Sequence, residues 1–148
     1  MGRVGRPQEN AKTVLLRCLG TASFMIGRSI VMGPMYGQRA WFSLFAPEKI
    51  GYAIQRYEDE GARLSAVIDR ALAGRTWLLE EYSIVDIAVF GWAHCAVAQG
   101  FAIEAFPAYH AWYQRVWARP AVQRGVQIPG PLPDFTPFIA ARRAFAPA

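Results

Sequence analysis

An all-α helical bundle is the fold class that this 148-residue sequence predicts, and three observations predict it. No stretch alternates apolar and polar residues for long enough to argue a sheet. Between Tyr57 and Ala71, the residues Tyr57, Gly61, Leu64, Ile68 and Ala71 recur at the four-and-three spacing of one helical face. Ser83 and Asp86, three apart, stand directly before an apolar run that reaches about Ala98, as at a capped helix start.

Taken in order, residues 10–31 are compatible with helix but carry Gly20 and Gly27 and have ragged apolar spacing. Gly33-Pro34-Met35-Tyr36-Gly37-Gln38 is expected to kink or break the chain, because proline lacks an N–H and disfavours helix at the residue before it. After the aromatic patch Trp41-Phe42-Ser43-Leu44-Phe45, Pro47 can open a helix that runs to Ala73, with Gly74 as its stop. The outer face of that helix carries Arg56, Glu58, Asp59, Glu60, Arg63 and Arg70, and the spacing pairs Asp59 with Arg63 for about a few tenths of a kcal/mol.

Ser83 is expected to accept from the backbone at Asp86, whose carboxylate reaches back to Ser83, while Tyr82 and Ile87 staple across the cap. Because the following helix is apolar nearly all round, it is placed at the centre of the bundle. Pro107 opens a helix with Tyr109, Trp112, Tyr113, Val116 and Trp117; Arg119-Pro120 ends it before a turn to Val126. The tail, with Pro129, Pro131, Pro133 and Pro137, reads as extended up to a short helix over 138–145.

The length suits one domain that can bury a core without staples. With 53% apolar and 18% charged residues the chain is greasy enough to leave apolar surface for a partner. The net charge of +5 is concentrated early, where Arg3, Arg6, Lys12, Arg17, Arg28 and Arg39 face only Glu9. These cations are scattered among apolar residues without a nucleic-acid motif, so no nucleic-acid partner is expected.

Cys18 and Cys95 form no C-x-x-C pair and read as reduced core thiols, and no metal-ligand spacing occurs. Ile87 to Ala98 is too short to span a bilayer, so no membrane partner is expected. The run from Cys18 to Gly27 is crowded by Arg17 and Arg28 and lacks a cleavage site, and Arg6 stands where a myristoylation signal needs Ser or Thr. The cytoplasm is the expected location. His94 and His110 could form a proton-transfer pair, against structural roles for both.

Several segments in order resemble the helical domain of glutathione S-transferases, closest to the nu-class and disulfide-bond-reductase-like bacterial members. They are residues 33–38, then Ala46-Pro47-Glu48-Lys49-Ile50, Tyr52-Ala53-Ile54-Gln55-Arg56-Tyr57, Tyr82-Ser83-Ile84-Val85-Asp86-Ile87-Ala88, Phe106-Pro107-Ala108-Tyr109, and Trp112 through Val122. The resemblance divides the chain into an atypical basic leader (1–32), a transferase C-terminal-like helical domain (33–126) and a Pro-rich tail with a short helix (127–148).

What the resemblance implies is a reaction with glutathione as cosubstrate, either conjugation or thiol–disulfide chemistry, and no tightly bound cofactor. Arg56 matches an arginine that reaches the glutathione site from the helical domain, where a guanidinium can meet a carboxylate in two bonds. As a bare helix residue it could equally be a solvated charge paired with Glu60. Met35, Tyr36, Gln38 and Phe42 match the electrophile pocket, or else form an aromatic core stripe.

The thioredoxin-like domain, which in the family supplies the thiol-activating residue, has no counterpart in these motifs, so no catalytic residue is assigned. The chain alone is therefore expected to be inactive. A homodimer or a thioredoxin-like partner chain could complete it. The alternatives are a non-enzymatic helical module that binds a partner or ligand, or a truncated gene relic.

Overall fold

The structure, a computed structural model, describes residues 32–143, and the expected first helix over 10–31 lies outside them. Helix α1 covers 32–40 and passes into a π-helical turn, Trp41–Phe45, closed by the Ala46 N–H donating to the Trp41 carbonyl at 2.7 Å. Then follow α2 (Gly51–Leu72), α3 (Ile84–Ala98), a 3-10 turn (Ile103–Ala105), α4 (Pro107–Trp117), α5 (Pro120–Gly125) and α6 (Thr136–Arg143). No strand occurs among the described residues.

The break expected at 33–38 is absent. Pro34 removes a donor only toward the chain before it, so the residues after it can stay helical. Met32, Tyr36 and Ala40, at i, i+4 and i+8, are all buried and fix that face of α1 in the core. Gly33 serves close approach: a Cβ there would fall 2.6 Å from Cζ2 of Trp92, whose indole lies over α1.

Helix α2 begins at Gly51, four residues after Pro47, because Ile50 is still extended at φ −95° and ψ 99°. It ends one residue before Ala73, with Gly74 at φ +72° providing the left-handed stop. Its inward face is Gly61, Leu64, Ser65, Ile68 and Leu72. Against it packs α4, whose Tyr109, Trp112 and Val116 are fully buried among Ile68, Leu72 and Val89.

Two carboxylates organise these contacts. Asp69 of α2 accepts from the N–H groups of Ala108 and Tyr109 at 2.8 and 3.0 Å, capping α4, which has no side-chain cap of its own. Asp86, with no solvent exposure, accepts from Trp112 Nε1 at 2.8 Å, Leu78 N at 3.1 Å and Ser83 N at 2.9 Å. It therefore holds together the loop over 73–82, the start of α3 and the middle of α4. Ser83 Oγ accepts from Val85 N at 3.2 Å.

The staple expected between Tyr82 and Ile87 is not how Tyr82 is used. Its ring packs edge-on to Trp77 at 5.1 Å with the Arg119 guanidinium 3.7 Å above it, and Ile87 is exposed. Helix α3 is also not enclosed on all sides. Val85, Val89, Phe90, Ala93 and Ala96 face the core, while Ile84 is 79% and Ile87 55% exposed, on a stripe continued by Ala88, Gly91 and Trp92.

Helix α3 ends in a Schellman motif. Gly100, at φ +78°, donates to Val97 O, and Phe101 donates to Ala96 O, both at 2.9 Å. The tail packs back on the bundle. Phe45 of the π-turn meets Phe135 and Phe138 at 6.0 and 5.3 Å between ring centroids, and Ile139 lies over Gly100. Its helix starts at Thr136, two residues before the expected start, because Asp134 accepts from the Thr136 N–H at 2.9 Å.

Candidate functional site

The outward face of α2 repeats at Tyr52, Arg56, Asp59, Glu60 and Arg63, spaced i, i+4, i+7, i+8 and i+11. With Met35 of α1, Gln55 and Tyr57 these residues line an open cleft of about 580 Å³. The ring of Phe42, on the π-turn, stacks on Tyr57 at 5.5 Å with only 8° between the planes, and so backs one wall.

The sequence-predicted residues divide. Met35 and Arg56 share the cleft, and Phe42 supports it through Tyr57. Tyr36 does not line it but is buried in the core, its hydroxyl 2.7 Å from Ser65 Oγ and its pKa raised by burial. Gln38 is exposed on α1 and does not line the cleft.

The charges on α2 pair differently from what spacing predicts. Arg63 donates to both oxygens of Glu60 at 2.6 and 2.8 Å, and Asp59 accepts from Gln55 Nε2 at 2.7 Å. The expected Asp59–Arg63 pair does not form, nor does Arg56 close on Glu60. The bonds from Arg63 hold the Glu60 carboxyl below its ordinary pKa, with a smaller contribution from the nearby Arg56 charge. Among the described residues Arg56 makes no ion pair, so its planar donors remain available to an anion.

Further along the bundle, His94 Nδ1 is 3.0 Å from the Tyr113 hydroxyl and its ring stacks between Phe90 and Trp117. Burial pushes its pKa down. His110 pairs with Gln114 at 3.1 Å, so each histidine has its own separate partner. Cys95 is a free thiol whose pKa burial pushes up, the opposite of a reactive setting. Among the described residues, no three His, Cys, Asp or Glu side chains gather as a metal site, and no helix is long and apolar enough to cross a membrane.

Sequence reasoning did not single out Gln55, Glu60 or Arg63 as parts of a site. Their signal is the shared helical face with Arg56, legible once α2 is placed with its opposite face inward.

The sequence profile of the glutathione S-transferase C-terminal domain matches residues 33–120. The chain is similar to the disulfide-bond oxidoreductase YfcG of Escherichia coli (strain K12), 41% identical over 91 residues that cover 61% of this chain and 42% of that protein. It is also similar to the glutathione S-transferase-like protein tpcF of Aspergillus fumigatus, 33% identical with 64% and 48% covered. The chain thus spans less than half the length of these relatives.

Among solved structures, a glutathione transferase from Pseudomonas putida, with one glutathione disulfide bound per subunit, aligns with a TM-score of 0.65 and 32% identity. That alignment covers 87% of this chain and 56% of that one. A Burkholderia graminis glutathione transferase, with two glutathione molecules per subunit, aligns with a TM-score of 0.65 and 34% identity, covering 73% and 50%. With a profile match over most of the described helices and a bundle that superposes on these enzymes, the chain belongs to the glutathione S-transferase family through its C-terminal helical domain.

Proposed function

We propose that this chain provides the helical side of a glutathione site, in which Arg56 takes a glutathione carboxylate. Met35 and Tyr57, the latter backed by Phe42, form the apolar wall for an electrophile or a disulfide. The observation that carries this reading is a guanidinium with no ion pair among the described residues, in a cleft of about 580 Å³ beside an apolar wall. The glutathione and glutathione disulfide bound by the Pseudomonas and Burkholderia enzymes support the ligand class.

Chemistry on the glutathione sulfur needs it held as thiolate, and this reading assigns that role to no residue of the cleft, whose Asp59 and Glu60 carboxylates are engaged by Gln55 and Arg63. In this reading the helical side binds glutathione, and a thioredoxin-like unit that completes the site adds the activating group. The proposed setting is the cytoplasm, with reduced glutathione as cosubstrate.

Calorimetric titration of the purified chain with glutathione tests the reading. Binding that weakens at least tenfold in Arg56→Ala, with the fold intact by circular dichroism, is the expected outcome. Equal affinity in the variant, or no binding by the unmutated chain, refutes it.

The exposed Ile84, Ile87 and Trp92 stripe favours a second reading, a helical module that docks a partner through this face.

A further inference from the structure

The anion-binding capacity of Arg56 depends on what its neighbours do. Asp59 and Glu60 sit three and four residues after it on the same helix face, within reach of its guanidinium. Either carboxylate, if it closed on Arg56, would occupy the donors that an anionic ligand needs. Neither does. Glu60 is chelated by Arg63 through two bonds of 2.6 and 2.8 Å, and Asp59 accepts from the Gln55 amide at 2.7 Å.

We propose that Arg63 and Gln55 are positioning residues that hold Glu60 and Asp59 away from Arg56 and so keep its guanidinium open to an anionic ligand in the α1–α2 cleft. Helix direction favours this partition. An acid placed N-terminal to its base, as Glu60 is to Arg63, pairs better than the reverse order that Arg56 and Glu60 would adopt. The two-bond geometry adds to that preference, since a guanidinium that grips both oxygens fixes the orientation of the carboxylate.

Gln55 works differently. It is neutral, so it restrains Asp59 without adding or cancelling charge, and its removal leaves the net charge of the cleft unchanged. All of these side chains lie at the surface, where each pairing is worth little, so the expected changes are modest.

The inference rests on the reading of Arg56 as a glutathione contact, and two measurements separate the two claims. The first is the solvent exchange rate of the Arg56 Nε–H, followed by 15N NMR in the ligand-free chain. It should slow in Arg63→Gln, as Glu60 swings onto Arg56, and return to the unmutated rate in Arg63→Gln/Glu60→Gln. The second is glutathione affinity by calorimetry. It should fall about two- to fivefold in Arg63→Gln and in the charge-neutral Gln55→Ala, and recover in Arg63→Gln/Glu60→Gln.

An Arg56 signal unchanged in Arg63→Gln overturns the proposal. So does a loss of affinity in Arg63→Gln without any loss in Gln55→Ala, because the effect would then be one of net charge. A slowed Arg56 signal in a chain that binds no glutathione supports the positioning role and refutes the ligand.

Discussion

At the scale of single residues, Asp86 does more than its place in the sequence implies. The Ser-x-x-Asp spacing predicts a helix cap, and such a cap is worth about 1 kcal/mol. The structure adds two donors from elsewhere, the Trp112 indole and the Leu78 amide, to a carboxylate sealed from solvent. Asp86→Ala leaves those donors buried without an acceptor and should destabilise the chain by about 3 kcal/mol, against about 1 for Ser83→Ala. Urea denaturation of both variants checks the difference; equal losses would mean that Asp86 is only a cap. The cap was legible because its partners are local. The indole lies 26 residues away, and nothing in spacing announces it. Asp69 was illegible for the same reason: on a helix face it resembles any solvated charge, yet its two bonds go to residues 39 and 40 positions on.

At the scale of elements, the sequence placed helix ends well at the Ser83 cap, Pro107 and Gly74, but not at Pro47, after which α2 starts only at Gly51, nor at Pro120, which opens a helix rather than a turn. It misjudged them where a neighbour decides. Gly33-Pro34 looks like a break, but an indole lying on Gly33 makes the absence of a side chain a packing requirement within a helix. The apolar circumference of α3 suggested enclosure, because composition cannot distinguish core from an uncovered face. Gly100 combines both kinds of constraint. Its positive φ excludes other residues at a cost of about 1–2 kcal/mol, and a Cβ there would also lie 3.2 Å from Ile139. Gly100→Ala should therefore lower stability by roughly 2 kcal/mol, and adding Ile139→Ala should relieve the crowding but not the backbone strain. Thermal melts of the single and double variants test this; full recovery in the double variant would rule out the strain.

At the scale of the whole molecule, the described surface carries two features, the charged cleft over α2 and the exposed apolar stripe of α3. The cleft was half legible: Arg56, Met35 and Phe42 came from family resemblance, while the carboxylates and their holders emerged only when α2 acquired an inside and an outside. For the stripe, Ile84 and Ile87 stand exposed beside Trp92, an apolar face of the kind that docks a partner. Size-exclusion chromatography with light scattering should show self-association that Ile84→Glu/Ile87→Glu abolishes, without loss of helix content. A monomer at high concentration would count against docking through this face. The π-turn has a bearing on how the family's sequences are compared. Trp41–Phe45 fits one more residue into its turn than an α-helix would, and that extra residue directs Phe42 toward Tyr57 and Phe45 toward the tail. Removing one residue here would rotate everything on one side of the turn by about 100° relative to the other. A single-position gap at this point in an alignment of relatives is thus no harmless change of loop length, since it changes which aromatic ring backs the cleft and which one receives the tail.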